Sequence, residues 1–309
     1  MPFRKLGNEN NLSGAQAYTR VTKELSSLPS NTQLTKTLCD PKRFSGILIL
    51  DGKYVAVKGF NRKIPFLYGI DYLTHDIPLG ELYVAEDAIS FVQFFHRLLA
   101  LGYNLTIVVA DDRLGLKQAL NKVFPLARLQ LCHNHYLENI RKLLKVRTQP
   151  TYQHFFNSLR LHVFLAGIDD QTIDQGLWHV MTRYAKQNGL LVNILGDIKH
   201  RRIDLFSYLT VKDCPNNTNL IELYNSHLNG RLKTIKGFQS FSSARCWLNA
   251  YIIRRRTKTL TDCEAKFKYL NKHASLELTI KKQARWPDIL KKLGIIKIKS
   301  WSQNTLKTN

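Results

Sequence analysis

Ile47-Leu-Ile-Leu-Asp-Gly-Lys-Tyr-Val-Ala-Val57 begins as a continuous apolar run, meets Asp51-Gly52, and resumes with the apolar stretch Tyr54–Val57. Asp-Gly between strand-forming residues is a strong short-range hairpin signal, so the stretch predicts two antiparallel strands turning at Asp51-Gly52. A third strand over Pro65–Leu73 would complete a meander. Further on, Ala85–Leu101 carries Ile89, Val92, Phe95, Leu98 and Leu99 at helical spacing. Leu105-Thr-Ile-Val-Val-Ala110 reads as a buried strand, Leu114–Val123 as a helix, and Ala127–Leu131 as another strand.

The resulting order, three strands and then alternating helix and strand, is that of a ribonuclease H-like α/β core: a mixed sheet with flanking helices. Residues 133–210 read as almost wholly helical, broken near Pro150, Gly167 and Gly189, and helices are expected over Thr218–Leu232 and Ser242–Arg256. Ahead of the core, Leu6–Leu28 reads as helix, turn, helix, with Ser13 as N-cap of the second helix. The stretch from Lys266 to Asn309 holds 11 Lys and Arg against 2 acids and ends in the alternating Ile295-Ile-Lys-Ile-Lys299.

Charge narrows the function. The 309 residues carry 46 Lys and Arg against 23 Asp and Glu, a net charge of +23, while the apolar fraction of 44% is that of an ordinary globular chain. An excess spread along the chain attracts a polyanion, and nucleic acid is the expected one. No apolar stretch of spanning length, signal peptide or lipidation motif is read, so no membrane partner is expected. Five scattered cysteines without a Cys-x-x-Cys pair suggest neither a disulfide framework nor a zinc ribbon, and fit a reducing cytoplasm.

In so basic a chain, acids at the ends of apolar strands are informative. Asp51 ends the first predicted strand and Asp111 the fourth, and these two strands are neighbours in a ribonuclease H-like sheet. Glu222, near the start of the 218–232 helix, is the third candidate. Three such carboxylates suit two Mg²⁺ (or Mn²⁺) ions, hard cations that take carboxylate and phosphate oxygens and can activate and stabilise the oxygens exchanged at phosphorus. Each acid also has a plainer reading. Asp51 could belong to a turn, Asp111 or Asp112 could cap a helix, and Asn219 with Glu222 resembles a capping box.

Val108-Val-Ala-Asp-Asp-Arg-Leu-Gly-Leu116, then Ala119-Leu, Val123-Phe-Pro125 and Gln130-Leu-Cys-His-Asn-His135, closely resembles Mutator-like insertion-sequence transposases of the DDE superfamily. Thr218-Asn-Leu-Ile-Glu-Leu-Tyr-Asn225, Arg231–Phe238 and Ala244-x-x-Trp247-Leu are similar to that family's third-acid region, and Ile49-Leu-Asp-Gly-Lys-Tyr-Val55 to its first-acid strand. The resemblance spans roughly 45–255. It implies a DNA transposase that cleaves and transfers strands at element ends, with Asp51, Asp111 and Glu222 as catalytic metal ligands. It also implies terminal-repeat and target DNA as partners, a dimer or higher assembly on DNA, and a nucleoid-associated place in the cytoplasm. Asp111 is preferred to Asp112 because it directly follows the strand, which leaves Asp112 to cap the next helix. Cys132 and His135 match the family's Cys-x-x-His. Zinc is not expected there, because structural zinc needs four ligands and no second pair exists.

Asp111 and Glu222 are 111 positions apart, too far for a bare core, so a helical insertion is expected. The expected divisions are 1–45 (helical, a candidate helix-turn-helix remnant), 46–139 (first part of the catalytic core), 140–212 (insertion), 213–260 (second part) and 261–309 (basic tail). The family carries more DNA-binding sequence ahead of the core, so a compact or truncated version is expected. Candidate phosphate contacts are Lys199, Arg201, Arg202, Arg231, Lys233, Arg254, Arg255, Arg256 and Lys258. Trp178 is expected to anchor the helical core, with base stacking as the alternative. The rival functions are a ribonuclease H-like nuclease and an inactive transposase-derived DNA-binding protein. A tyrosine recombinase is disfavoured because His-x-x-Arg does not occur.

Overall fold

A computed structural model describes residues 3–165, 167 and 169–294. The first strand, β1 (Ile47–Val55), runs straight through Asp51-Gly52. It pairs antiparallel with β2 (Ile64–Asp71) over its length, with Asp51 opposite Tyr68 and Gly52 opposite Leu67. The predicted turn at Asp-Gly is therefore displaced, and the chain reverses after Val57. Two physical reasons stand out. Continuing the ladder satisfies backbone groups that a turn would expose, and Gly52 is needed for space: a Cβ there would meet Glu86 Oε1 at 2.9 Å and Leu67 Cδ2 at 3.0 Å.

A short edge strand, β3 (Leu79–Leu82), pairs antiparallel with β2, while β4 (Ile107–Ala110) lies parallel to β1 and β5 (Arg128–Leu131) parallel to β4. The sheet order β3-β2-β1-β4-β5 is that of a ribonuclease H-like fold. The meander thus has three strands, as expected: the segment read as its third strand, Pro65–Leu73, is β2, the one read over Tyr54–Val57 starts as the end of β1, and Leu79–Leu82 is a strand that the sequence pattern does not mark.

Helices surround this sheet. Three precede it: α1 (Phe3–Glu9), α2 (Gly14–Ser27) and α3 (Asn31–Leu38). Ser13 caps α2 through a full capping box with Gln16. The crossovers are α4 (Ala88–Ala100) and α5 (Leu116–Val123). Between β5 and the last part of the core run α6 (His133–Leu143), α7 (Gln153–His162), α8 (Asp170–Tyr184), α9 (Gly189–His200) and α10 (Arg202–Phe206). Then come α11 (Asn219–Leu232), α12 (Phe241–Thr257), α13 (Ser275–Thr279) and α14 (Trp286–Lys292). The alternating stretch Ile295–Lys299 lies outside the described residues.

Strand alternation divides the core into two faces. Leu48 and Leu50 of β1, with Val108 and Ala110 of β4, pack under Phe91, Phe94 and Leu98 of α4 and Leu116 and Leu120 of α5. This cluster continues into Phe155, Ile173, Val180 and Leu195 of the following helices. Ile47, Ile49, Ile107 and Val109 face the other way, against Ile221, Tyr224 and Leu228 of α11 and Leu248 and Ile252 of α12. A third cluster joins Leu34, Ile253, Leu276, Ile280 and Ile289 and so ties α3, α13 and α14 to the end of α12.

Candidate active site

The parity that buries Ile47 and Ile49 under α11 also fixes where Asp51 goes. It is two residues beyond Ile49 and therefore on the same face. Asp111 stands in the same relation to Val109, and Ile49 is aligned with Val109 across the parallel pair. Two carboxylates thus leave adjacent strands at one level, toward α11.

Two residues one turn apart on α11 meet them. Asn225 Nδ2 donates to Asp51 Oδ2 at 2.6 Å, and Asn225 Oδ1 accepts from the Tyr68 hydroxyl at 2.9 Å. The Gly52 N–H donates to Asp51 Oδ1 at 2.7 Å. Glu222, three residues earlier, is linked to Asp111 through His135, whose Nδ1 lies 2.6 Å from Asp111 Oδ1 and 3.8 Å from Glu222 Oε1. One imidazole nitrogen is therefore hydrogen-bonded to Asp111 and in charge range of Glu222.

The Cys132-x-x-His135 pair is built into the same corner. Cys132 directly precedes α6, and His135 lies one turn on, its Nδ1 3.3 Å from Cys132 Sγ. Thr218, just before α11, donates its N–H to Cys132 Sγ at 3.3 Å. Its hydroxyl lies 3.2 Å from that sulfur and 2.9 Å from Glu222 Oε1. The predicted Asn219–Glu222 capping box does not form, because the residue preceding α11 is Thr218 and Asn219 instead accepts from Asn134 at 2.7 Å. The Glu222 carboxylate is left facing the site. Asp112 likewise does not cap α5, which starts from Gly115 at φ 82 without a side-chain cap; Asp112 pairs with Arg201.

Burial, and then the charge of Asp111, push the Asp51 carboxyl up to about 6, despite the opposing Gly52 and Asn225 hydrogen bonds. The hydrogen bond to Asp111, then that to Cys132, hold His135 up to about 10. Burial opposes ionisation of Cys132, yet hydrogen bonds from His135 and Thr218 outweigh it and lower the thiol. His135 is accordingly expected to remain protonated near pH 8 in metal-free protein, and Asp111→Asn to return it toward its ordinary range. Imidazole NMR titration checks this, and wild-type titration at the ordinary value would contradict the contact.

Such a corner suits a divalent cation. Three carboxylates with one raised pKa are short of positive charge, and the His135 imidazole is the cationic group facing two of them. Donor atoms of Asp111, Cys132 and His135 also lie within 4.8 Å of one another. A thiol and an imidazole favour softer ions than Mg²⁺.

The basic candidates separate. Arg256 is corrected: it is 0% exposed and ion-paired to Asp76, so it offers nothing to a phosphate at the surface. Arg255 stacks over the Tyr224 ring at 4.3 Å. Arg201 is held by Asp112 and Asp197, and Arg202 by Asp170 and Asp174. Lys199, Arg231, Lys233, Arg254 and Lys258 remain exposed. Trp178 is also corrected: at 68% exposed it is no core anchor. Asn225 could have been found from its helical spacing to Glu222; Thr218 and Arg113, beside these acids, and Glu86, behind β1, carried no comparable signal. Among the described residues no helix is long and apolar enough to cross a membrane.

The family model described as "Transposase, Mutator family" matches residues 42–258. No curated protein matches the sequence. Among solved structures, the catalytic core domain of the HTLV-2 integrase in complex with magnesium is 13% identical, over 43% of this chain and 82% of that one, with a TM-score of 0.24. The Drosophila P element transposase strand transfer complex is 10% identical, over 84% of this chain and 82% of that one, with a TM-score of 0.28.

Proposed function

This chain belongs to the Mutator family of transposases, and from that premise we propose that Asp51, Asp111 and Glu222 are the metal-holding catalytic triad of its DNA strand cleavage and strand transfer. The observation that carries the reading is the double hold from one face of α11: Asn225 on Asp51, and Glu222 reaching Asp111 across a single His135 nitrogen. Two Mg²⁺ or Mn²⁺ ions bound there would activate the attacking oxygen and offset charge on the departing one.

The protein's own part is positioning. Asn225 and the Gly52 N–H fix the Asp51 rotamer, while Thr218 orients Glu222. Water would first displace the 3′-oxygen at an element end. The freed 3′-hydroxyl would then attack a target phosphodiester, one P–O bond forming as one breaks. Terminal-repeat DNA and target DNA are the partners of this scheme, and holding two ends together calls for at least a dimer.

Glu222→Gln tests the reading. Its strand transfer with Mg²⁺ should fall by about a hundredfold or more, Mn²⁺ binding by calorimetry should weaken, and end-DNA affinity should stay near wild type. Undiminished strand transfer would remove Glu222 from the triad. Cleavage of RNA–DNA hybrids without end joining would favour the nuclease instead.

A further inference from the structure

Arg113 follows Asp111 by two residues, on the loop leading into α5. Its Nη2 lies 3.8 Å from Asp111 Oδ2, and its Nε lies 3.6 Å from Glu86 Oε1. Both are charge contacts too long to be hydrogen bonds. The Nε is buried and has no hydrogen-bond partner among the described residues. A guanidinium offers five N–H donors, and with the side chain 39% exposed the donors beyond the buried Nε are open to a ligand.

Glu86 anchors this group from the opposite face of β1. Its side chain is 5% exposed, it accepts a hydrogen bond from the Tyr54 hydroxyl, and it fills the space that a Cβ at Gly52 would need. Gly52 and Tyr54 alternate with Asp51, so Glu86 sits behind the strand that carries Asp51 forward. The guanidinium consequently straddles the edge of the sheet. One end is tethered to a buried anion, and the other faces Asp111, close enough to Asp51 for its charge to favour that carboxylate.

We propose that Arg113 binds the non-bridging oxygens of the scissile phosphate, with Glu86 and Tyr54 holding it in place. This rests on the triad reading above. Neither carboxylate is near enough to accept from the guanidinium, its donor fork matches a phosphate in geometry and charge, and it stands beside the acids that would flank the reacting phosphorus. Arg113 is then a catalytic residue, and Glu86 a positioning residue.

The test combines a neutralised protein group with a neutralised DNA group. End DNA is prepared with and without a methylphosphonate at the scissile position, and its affinity for wild-type protein and Arg113→Ala is measured in Ca²⁺. In wild type the methylphosphonate should weaken binding by about tenfold or more, whereas in Arg113→Ala it should have little further effect. Strand transfer by Arg113→Ala should fall by about a hundredfold and be partly restored by added guanidinium ion, at a temperature where the variant, whose midpoint drops because buried Glu86 loses its counter-charge, is still fully folded. Arg113→Lys, a point charge without the fork, should recover only part of the rate. Independent, additive effects of the two neutralisations would overturn the proposal, as would a loss of activity fully explained by a lowered unfolding midpoint. If the triad reading itself is at fault, Glu222→Gln stays active whatever Arg113→Ala does, so the two failures are distinguishable.

Discussion

Asp51→Asn is expected to cut metal-dependent strand transfer by about a thousandfold or more while making the metal-free protein harder to unfold. The activity loss follows from Asp51 being the most rigidly held of the three acids: it sits on a central strand and is fixed by Asn225 and the Gly52 N–H. Losing several kcal/mol of metal-borne charge stabilisation corresponds to about three powers of ten in rate. The stability gain follows from its ionisation. The folded Asp51 carboxyl is pushed up to about 6 from an ordinary 3.8. Below the lower value it is protonated in both states and has no effect. Between the two, the unfolded chain releases a proton that the folded chain keeps, so stability falls as pH rises, and above about 6 the full penalty applies. Asn carries no such penalty, and although its NH₂ cannot accept as the second Asp51 oxygen did from Asn225 or Gly52, that lost hydrogen bond, worth about 1 kcal/mol, offsets only part of the gain. Its advantage should be on the order of 1–3 kcal/mol at neutral pH and vanish near pH 4, as measured by urea unfolding in the presence of a chelator. Strand transfer close to wild type, or a destabilised variant at neutral pH, would refute the account.

The second large effect concerns Arg256. Its Nε and Nη2 donate to the two Asp76 oxygens, both at 2.8 Å, and its Nη1 donates to Asn31 Oδ1 and Thr35 Oγ1 at 2.7 and 2.8 Å. Asp76 also accepts from Thr279 at 2.6 Å and Ser275 at 3.2 Å. Both charges are 0% exposed. Removing one partner strands the other in a dry interior, so Arg256→Met should cost about 3–5 kcal/mol in denaturant unfolding. Adding Asp76→Leu should return part of that loss, because the uncompensated charge is then gone, although Asn31 Oδ1 and the Ser275 hydroxyl lose their partners while Thr35 and Thr279 still donate to Pro78 and Leu276. Hydrogen exchange should accelerate first in α3 and α13, the two helices that these groups join to α12. A loss below about 1 kcal/mol for Arg256→Met would mean that the cluster does not hold these segments.

Much of this was legible in the chain itself. The apolar run before Asp51 and the run before Asp111 give two buried strands with an acid at the end of each run, and the parallel register of Ile49 with Val109 sets both acids on one face. Strand and helix order gives the ribonuclease H-like sheet, because parallel neighbours joined by helices leave few topologies. The segments resembling Mutator-like transposases lie within the residues that the family model matches.

What the sequence could not decide were choices between local and distant partners. Asp51-Gly52 has the local chemistry of a turn, yet β2 and Glu86 make it the middle of a strand. Asp112 and Asn219 have the local chemistry of caps, yet Arg201 and Asn134 claim them. Arg256 belongs to a run of three arginines that reads as a surface cluster, but a helix packed on a sheet must turn one side inward, and Asp76 waits there. Propensity is set by neighbours in sequence and worth about 1 kcal/mol or less per residue, whereas a buried charge or an excluded Cβ is settled by atoms far along the chain at several times that energy. Composition and pattern therefore determined which fold forms and which acids follow its buried strands; only tertiary packing decided which of them share a face and which polar groups remain free to meet DNA.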